Sequence, residues 1–95
     1  MFDKAKMIWK AKQIQNELKK MEFEGVELGG KVKVVVNGEQ KVQSVKIADE
    51  LMNLDEKESL QRFLKQATTA AIAKSQQAAA SKMKSVAGDL GITGL

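Results

Sequence analysis

The lysines of this sequence are its residues best suited to binding chemistry, and they are concentrated towards the two ends of the chain. Residues 1–20 hold six lysines against two acids, a net charge of +4, and residues 59–88 hold five basic residues and no acid. Residues 21–58 hold nine acids against five lysines, a net charge of −4. Ammonium groups that approach phosphates release condensed counterions, so two basic segments of this kind favour a polyanionic partner.

Ten of these lysines are candidate contacts for a phosphate backbone. Solvated helices usually interleave both signs of charge to gain i,i+4 pairs, and residues 59–88 do not. A solvated lysine-rich surface is the alternative interpretation. Lysine outnumbers arginine fifteen to one, which predicts point-charge contacts with phosphate and weak sequence preference. The candidates are Lys4, Lys6, Lys10, Lys12, Lys19, Lys20, Lys65, Lys74, Lys82 and Lys84.

The sequence gives little support for a catalytic, metal-binding or cofactor-binding site. The chain contains no histidine and no cysteine, which removes the commonest metal ligand, the usual general base and the thiolate nucleophile. Helix capping and solvation explain the acids at positions 49–50 and 55–58. The Gly29-Gly30-Lys31 sequence precedes a strand and lacks the Lys-Ser/Thr pair of a phosphate loop. We therefore predict no enzyme activity, metal, cofactor or small-molecule substrate.

No segment predicts insertion into a membrane. Lysines interrupt every apolar run in the first twenty residues, and no stretch reaches the roughly 20 apolar residues that a spanning helix needs. The absence of cysteine agrees with a reducing environment. The sequence therefore predicts a cytoplasmic protein with no membrane partner.

The first basic segment has the periodicity of an amphipathic helix, predicted over residues 1–22. Its apolar seam advances by alternating steps of four and three residues. The seam consists of Met7, Ala11, Ile14, Leu18 and Met21. Trp9 lies on the opposite side, where packing against a partner subunit and stacking on a nucleotide base are both open interpretations.

Two strands follow a turn at Gly29-Gly30. The segment 31–36 has strand composition with mostly alternating polarity, and Asn37-Gly38 predicts a tight hairpin turn because both positions tolerate positive φ. The return strand runs over residues 40–48. Val42 has the opposite parity from Val45 and Ile47, so either a bulge realigns them or both faces of the sheet are partly buried.

A second, longer helix is predicted over residues 55–87. Asp55 and Glu58 match a capping box at its start, and Gly88 is the expected C-cap. At 1.5 Å per residue this helix is about 48 Å long, whereas a compact chain of this size is about 32 Å across. It must therefore overhang its own body or pack along another chain. Residues 88–95 are predicted to be a loose tail.

The order and spacing of these features resemble the YbaB/EbfC family of bacterial nucleoid-associated proteins. The resemblance covers nearly the whole chain as a single domain, residues 1–95. It rests on the Lys-Gln run of residues 10–15, the Gly-Gly-Lys-Val-Lys-Val sequence of residues 29–34, Asn37-Gly38, Val45-Lys46-Ile47 and the glycine-punctuated residues 88–95.

The resemblance implies an α+β fold, an αβββα protomer with a small antiparallel sheet and two long helices that forms a tweezer-like homodimer. The third strand would lie within residues 23–28, so the sheet would span residues 23–48. The implied function is binding of double-stranded DNA in the nucleoid with low sequence specificity, through the ten candidate lysines.

The dimer interface is expected on the sheet and on the first half of the second helix. The residues proposed for it are Val32, Val34, Val45, Ile47, Leu60, Phe63, Leu64, Ala67 and Ala71. A dimeric adaptor that binds an acidic protein is the alternative function, and it would depend on Phe2, Trp9, Met83 and Val86. Binding to anionic lipid is a third possibility, although the distal half of the second helix has few large apolar residues.

Overall fold

The structure, a computed structural model, describes residues 4–89 and has the expected α+β architecture. Three antiparallel strands form one sheet in the order β1-β2-β3, between an N-terminal and a C-terminal helix. The elements are α1 (Lys4–Lys20), β1 (Glu22–Glu27), β2 (Val32–Asn37), β3 (Val42–Ile47) and α2 (Lys57–Asp89). The αβββα order is confirmed, and the additional strand implied within residues 23–28 lies one residue earlier, at Glu22–Glu27.

The core lies between the sheet and the first half of α2. Val32, Val34 and Val36 of β2 point to the same face of the sheet and are at most 1% exposed. Ala67 and Ala71 of α2 pack against them and are fully buried. Small residues at this i,i+4 spacing allow the helix backbone to lie close to the sheet, because no long side chain separates the two layers.

Gly25 is the point of closest approach between β1 and α2. A Cβ atom built at Gly25 would lie 1.7 Å from the carbonyl oxygen of Ala67, which is helix backbone and cannot rotate away. We expect Gly25→Ala to lower the free energy of unfolding by about 3 kcal/mol or more, because α2 must move off the sheet. Urea unfolding followed by helical circular dichroism measures this change.

Gly88 provides the matched control for that substitution. It lies within α2, and a Cβ atom there would meet nothing within 4 Å. Gly88→Ala should therefore leave stability unchanged or raise it by up to about 1 kcal/mol through helix propensity. Equal stability of the two variants would show that the close approach at Gly25 is not a constraint on the fold.

The hairpin between β2 and β3 differs from the predicted Asn-Gly turn. The Asn37 amide donates to the Lys41 carbonyl oxygen at 2.9 Å, so the loop consists of Gly38, Glu39 and Gln40. Gln40 has the positive φ, 66°, instead of Asn37 or Gly38. The Asn37 side-chain oxygen accepts from the amides of Glu39 and Lys41 and holds the longer loop in place.

A β-bulge resolves the parity of Val42. Val35 pairs with Ser44 and Val36 pairs with Val42, so Gln43 is the extra residue on β3. Directly paired residues of antiparallel strands point to the same face. Val42 therefore shares the α2-facing side of the sheet with Val45 and Ile47, and the bulge is the correct alternative.

Both predicted caps of α2 are wrong. A 3-10 turn, Leu54–Glu56, precedes the helix, and Asn53 caps that turn by accepting a hydrogen bond from the Glu56 amide at 3.0 Å. Asp55 therefore lies inside the turn and is not the N-cap. At the other end α2 continues through Gly88 to Asp89, so Gly88 is helical. The remainder of the predicted tail, residues 90–95, lies outside the described residues.

The second half of α2 extends beyond the sheet and packs antiparallel against α1. Ser75, where α2 leaves the sheet, is buried, and its hydroxyl donates to the Asn37 carbonyl oxygen at 2.7 Å. The amide of Gly38 donates to the Leu18 carbonyl oxygen at 2.8 Å, which fixes the end of α1 at the same place. We call α1 together with residues 76–89 the arm, and it makes the molecule elongated, with dimensions of 62 × 22 × 17 Å.

Candidate nucleic-acid interface

The arm brings the two basic segments of the sequence together. Six candidate lysines lie on α1, and Lys82 and Lys84 lie on the facing part of α2. Lys74 lies at the base of the arm, and Lys65 lies on the half of α2 that covers the sheet. The arm therefore carries eight of the ten candidates, whereas Lys65 is on the body of the protein.

Small apolar and polar contacts hold the two helices of the arm together. Ile14 and Leu18 of α1 are buried, and Ala87 of α2 is 4% exposed. Glu17 and Lys82 form an ion pair across the helices with a distance of 3.0 Å between Oε2 and Nζ. Because both side chains are about two-fifths exposed, this pair contributes little stability, and its main effect is to align the helices.

Three candidate lysines have partners within the chain. Lys82 pairs with Glu17, as described above, and Lys74 donates from Nζ to the Glu24 carbonyl oxygen on the edge strand β1 at 2.8 Å. The Nζ of Lys10 lies 5.4 Å from the centroid of the Trp9 ring. The other seven candidates form no ion pair with any side chain described within residues 4–88. These are Lys4, Lys6, Lys12, Lys19, Lys20, Lys65 and Lys84.

The acidic residues are concentrated on the sheet and its loops, away from the arm. Lys33 pairs with Glu24 at 3.0 Å, and Lys31 pairs with Glu50 at 3.2 Å. The arm contains only two acids, Glu17 and Asp89, and the first of these is paired. The charge segregation along the sequence is therefore also a segregation in space, with a basic arm and a body that holds most of the acids.

Trp9 projects from the arm as expected from the helical periodicity. Its side chain is 59% exposed, whereas Ile14 and Leu18 on the packed side of the helix are buried. The neighbouring Ile8 is 57% exposed. Seam residue Ala11 is also exposed, so the contact between α1 and α2 is narrower than the sequence periodicity indicates.

The predicted dimer residues fall into two groups. Val32, Val34, Ala67 and Ala71 are interior residues of one chain, at most 1% exposed, because α2 covers them. They cannot contact a partner while α2 remains in place. The other five predicted residues are half-buried or exposed, and they are Val45, Ile47, Leu60, Phe63 and Leu64.

Sequence analysis missed three exposed apolar residues near this second group. Val42 is exposed on β3, and Met52 and Leu54 line an open apolar groove that also includes Leu60. Leu54 is 88% exposed. Two large apolar residues in a short connection between a strand and a helix are the sequence signal that could have identified this patch.

Residues 4–89 contain neither a candidate metal centre nor a candidate membrane span. This part of the chain contains no cluster of three or more acidic, histidine or cysteine side chains that could hold a metal ion. It also contains no helix long and apolar enough to cross a membrane.

Comparison with known proteins assigns the chain to a family. The model of the YbaB/EbfC DNA-binding family matches residues 1–90. A nucleoid-associated protein of Caldanaerobacter subterraneus is 34% identical over 96 residues, covering 94% of this chain and 86% of the relative. One from Synechococcus elongatus is 40% identical over 95 residues, covering 99% and 83%. The crystal structure of an uncharacterized protein from Helicobacter pylori matches with a TM-score of 0.65 at 25% identity, covering 87% of this chain and 92% of that one. This chain belongs to the YbaB/EbfC DNA-binding family.

Proposed function

We propose that this chain binds double-stranded DNA with little sequence preference through the lysines of its arm. The observation that supports this most strongly is the concentration of eight candidate lysines on the arm, with only two acids among them. Lysine contacts phosphates as a point charge, and phosphate contacts carry no sequence information. A surface of this composition therefore favours affinity over specificity.

Fluorescence anisotropy with two duplexes of equal length and unrelated sequence tests this proposal. The two dissociation constants should agree within about threefold, because phosphates are present at the same spacing in both duplexes. A difference of more than about tenfold would contradict low specificity. The absence of binding to either duplex at low salt would contradict DNA binding by this chain.

The proposed active form is a homodimer whose interface we call the β3 surface, defined as Val42, Val45, Ile47, Met52, Leu54 and Leu60. β3 is an edge strand of the sheet, and α2 leaves its apolar side partly uncovered. An exposed apolar edge strand favours association with another chain. A second copy bound here would place two basic arms on one particle, which would raise affinity for a long polyanion through multivalency.

The relatives described above are named nucleoid-associated proteins, and we propose the same location for this chain. A protein that binds DNA with little sequence preference should distribute along the whole chromosome. Microscopy of a fluorescent fusion tests this, since the signal should overlap a DNA stain and become diffuse when the arm lysines are neutralised.

A dimeric adaptor for an acidic protein remains the second candidate function. The observation that favours it is the exposure of Trp9 and Met83 on the arm, because large apolar residues are common anchors in protein interfaces. Val86 is half-buried against α1 and contributes less free surface, and Phe2 lies outside the described residues. A Trp9→Ala variant that keeps full DNA affinity but loses a defined acidic protein partner would favour this function.

A further inference from the structure

Trp9 is an exposed aromatic residue on the arm. Binding of phosphates by lysines gives this side chain no role. It is the only tryptophan in the chain and is 59% exposed on the side of α1 that faces away from α2. The Lys10 Nζ lies 5.4 Å from the centroid of the ring. The rest of the exposed indole surface is apolar and in contact with water, and a flat ligand could cover it.

The surroundings of Trp9 favour a nucleic acid as that ligand. Lys6 and Lys12 lie three residues before and after Trp9, one helical turn to each side, and they are about 9 Å apart along the helix axis. Residues 4–16 contain no acid. An aromatic ring between unpaired lysines is the combination that proteins use to bind a base together with its flanking phosphates.

Base pairing determines which DNA can use this ring. In an intact duplex each base face is stacked on its neighbours, so a side chain reaches that face only if a base step is unstacked, which costs a few kcal/mol. An unpaired base at a gap, mismatch or frayed end offers its face at a much lower cost. We propose that Trp9 stacks on unpaired bases, so that the arm prefers DNA containing a short single-stranded gap over a fully paired duplex.

This inference rests on the proposed DNA binding and adds a structural preference to it. One stacked base should raise affinity about tenfold. The preference should belong to Trp9 alone, because the lysines contact phosphates that both kinds of DNA contain.

The experiment is a titration of the full chain with a labelled duplex and with the same duplex carrying a short gap. Anisotropy of the label reports binding, and intrinsic fluorescence reports the environment of Trp9, since no other tryptophan contributes. We expect about tenfold tighter binding of the gapped DNA. Fluorescence quenching and protection from acrylamide should be stronger with that DNA.

Substitutions separate stacking from a general contribution to binding. Trp9→Ala should remove the preference for gapped DNA while changing duplex affinity less than about twofold, and Trp9→Phe should keep part of it. Ile8→Ala is the matched control, because Ile8 is 57% exposed on the same helix, and it should keep the full preference.

Two outcomes would overturn the inference while leaving the proposed function intact. One is equal affinity for gapped and paired DNA, with Trp9 still accessible to acrylamide in both complexes. That outcome would favour a protein as the ligand of the Trp9 ring. The other is an equal loss of affinity for both DNAs in Trp9→Ala. No binding to either DNA at low salt would overturn the inference and the proposed function together.

Discussion

Replacing Lys6, Lys12 and Lys19 by glutamate is expected to lower the affinity for duplex DNA by at least about a hundredfold at moderate salt. All three side chains are exposed on α1 and form no ion pair with any described residue. Each reversal removes an attraction to phosphate and adds a repulsion, while no intrahelical or core contact is lost. Anisotropy titrations of wild type and variant measure the change.

A second triple variant controls for net charge. Lys31, Lys41 and Lys46 lie on the sheet and its loops, and their replacement by glutamate changes the total charge by the same amount. Lys31 loses an exposed pair with Glu50, which contributes little stability. This variant should lose less than about tenfold in affinity, because long-range attraction is screened over about 10 Å. Equal losses in the two triple variants would place the DNA contacts elsewhere than on the arm.

Lys74 and Lys82 are unsuitable for this test because both have partners within the chain. Lys74 donates to the Glu24 carbonyl oxygen, and Lys82 pairs with Glu17. Substituting either residue would therefore disturb the attachment of the arm as well as its charge. Affinity losses in such variants could not be assigned to phosphate contacts alone.

Replacing Val45 by lysine is expected to convert the proposed homodimer to a monomer. Val45 is 50% exposed on the α2-facing side of β3, at the centre of the β3 surface. A charge buried there against a second copy would lack a partner, which is strongly unfavourable. In the monomer the same lysine would remain in water. Size-exclusion chromatography with light scattering measures the change in mass.

Val26→Lys is the matched control for this substitution. Val26 is 45% exposed on β1 and pairs with Lys33, so it lies on the opposite face of the sheet. This variant should remain dimeric. The Val45 variant should also bind long DNA at least about tenfold more weakly, because each particle has one arm instead of two. A dimeric Val45→Lys variant, or a wild type that is monomeric, would contradict the proposed interface.

Local sequence patterns predicted the two main helices and the β2–β3 hairpin. The Met7–Met21 seam and the uninterrupted run before Gly88 have clear helical character, and residues 31–36 have strand composition. β1 required the family resemblance. Its sequence, Glu-Phe-Glu-Gly-Val-Glu, places a glycine where an apolar core residue is expected, because Ala67 leaves no room for a side chain.

The arm could not be derived from local patterns, because α2 contributes a small residue, Ala87, to its contact with α1. The half of α2 that contains Ala87 carries few large apolar side chains, so the sequence indicated a free projection instead of a helix pair. The longer hairpin loop also depends on a tertiary contact that local sequence patterns do not indicate. Gly38 is needed for its contact with Leu18, since a Cβ atom there would lie 2.6 Å from the Leu18 carbonyl oxygen.

Some features of the candidate site could be predicted from the sequence, and others required the folded structure. The positive charge of the site could be predicted from the sequence, because lysine-rich segments with few acids can be identified without knowledge of the tertiary structure. The partners of Lys74 and Lys82 lie 50 and 65 positions away in the chain, so only the folded structure identifies them. The burial of Val32, Val34, Ala67 and Ala71 likewise depends on where α2 crosses the sheet.

The most direct test of phosphate-driven binding by the arm is the salt dependence of its affinity for duplex DNA. Wild type and the Lys6, Lys12 and Lys19 triple variant would be titrated at several salt concentrations. The logarithm of the wild-type association constant should fall linearly with the logarithm of salt, with a slope of about −5 or steeper. The variant slope should be shallower by about three. An affinity that does not respond to salt, or equal slopes for the two proteins, would contradict binding through the lysines of the arm.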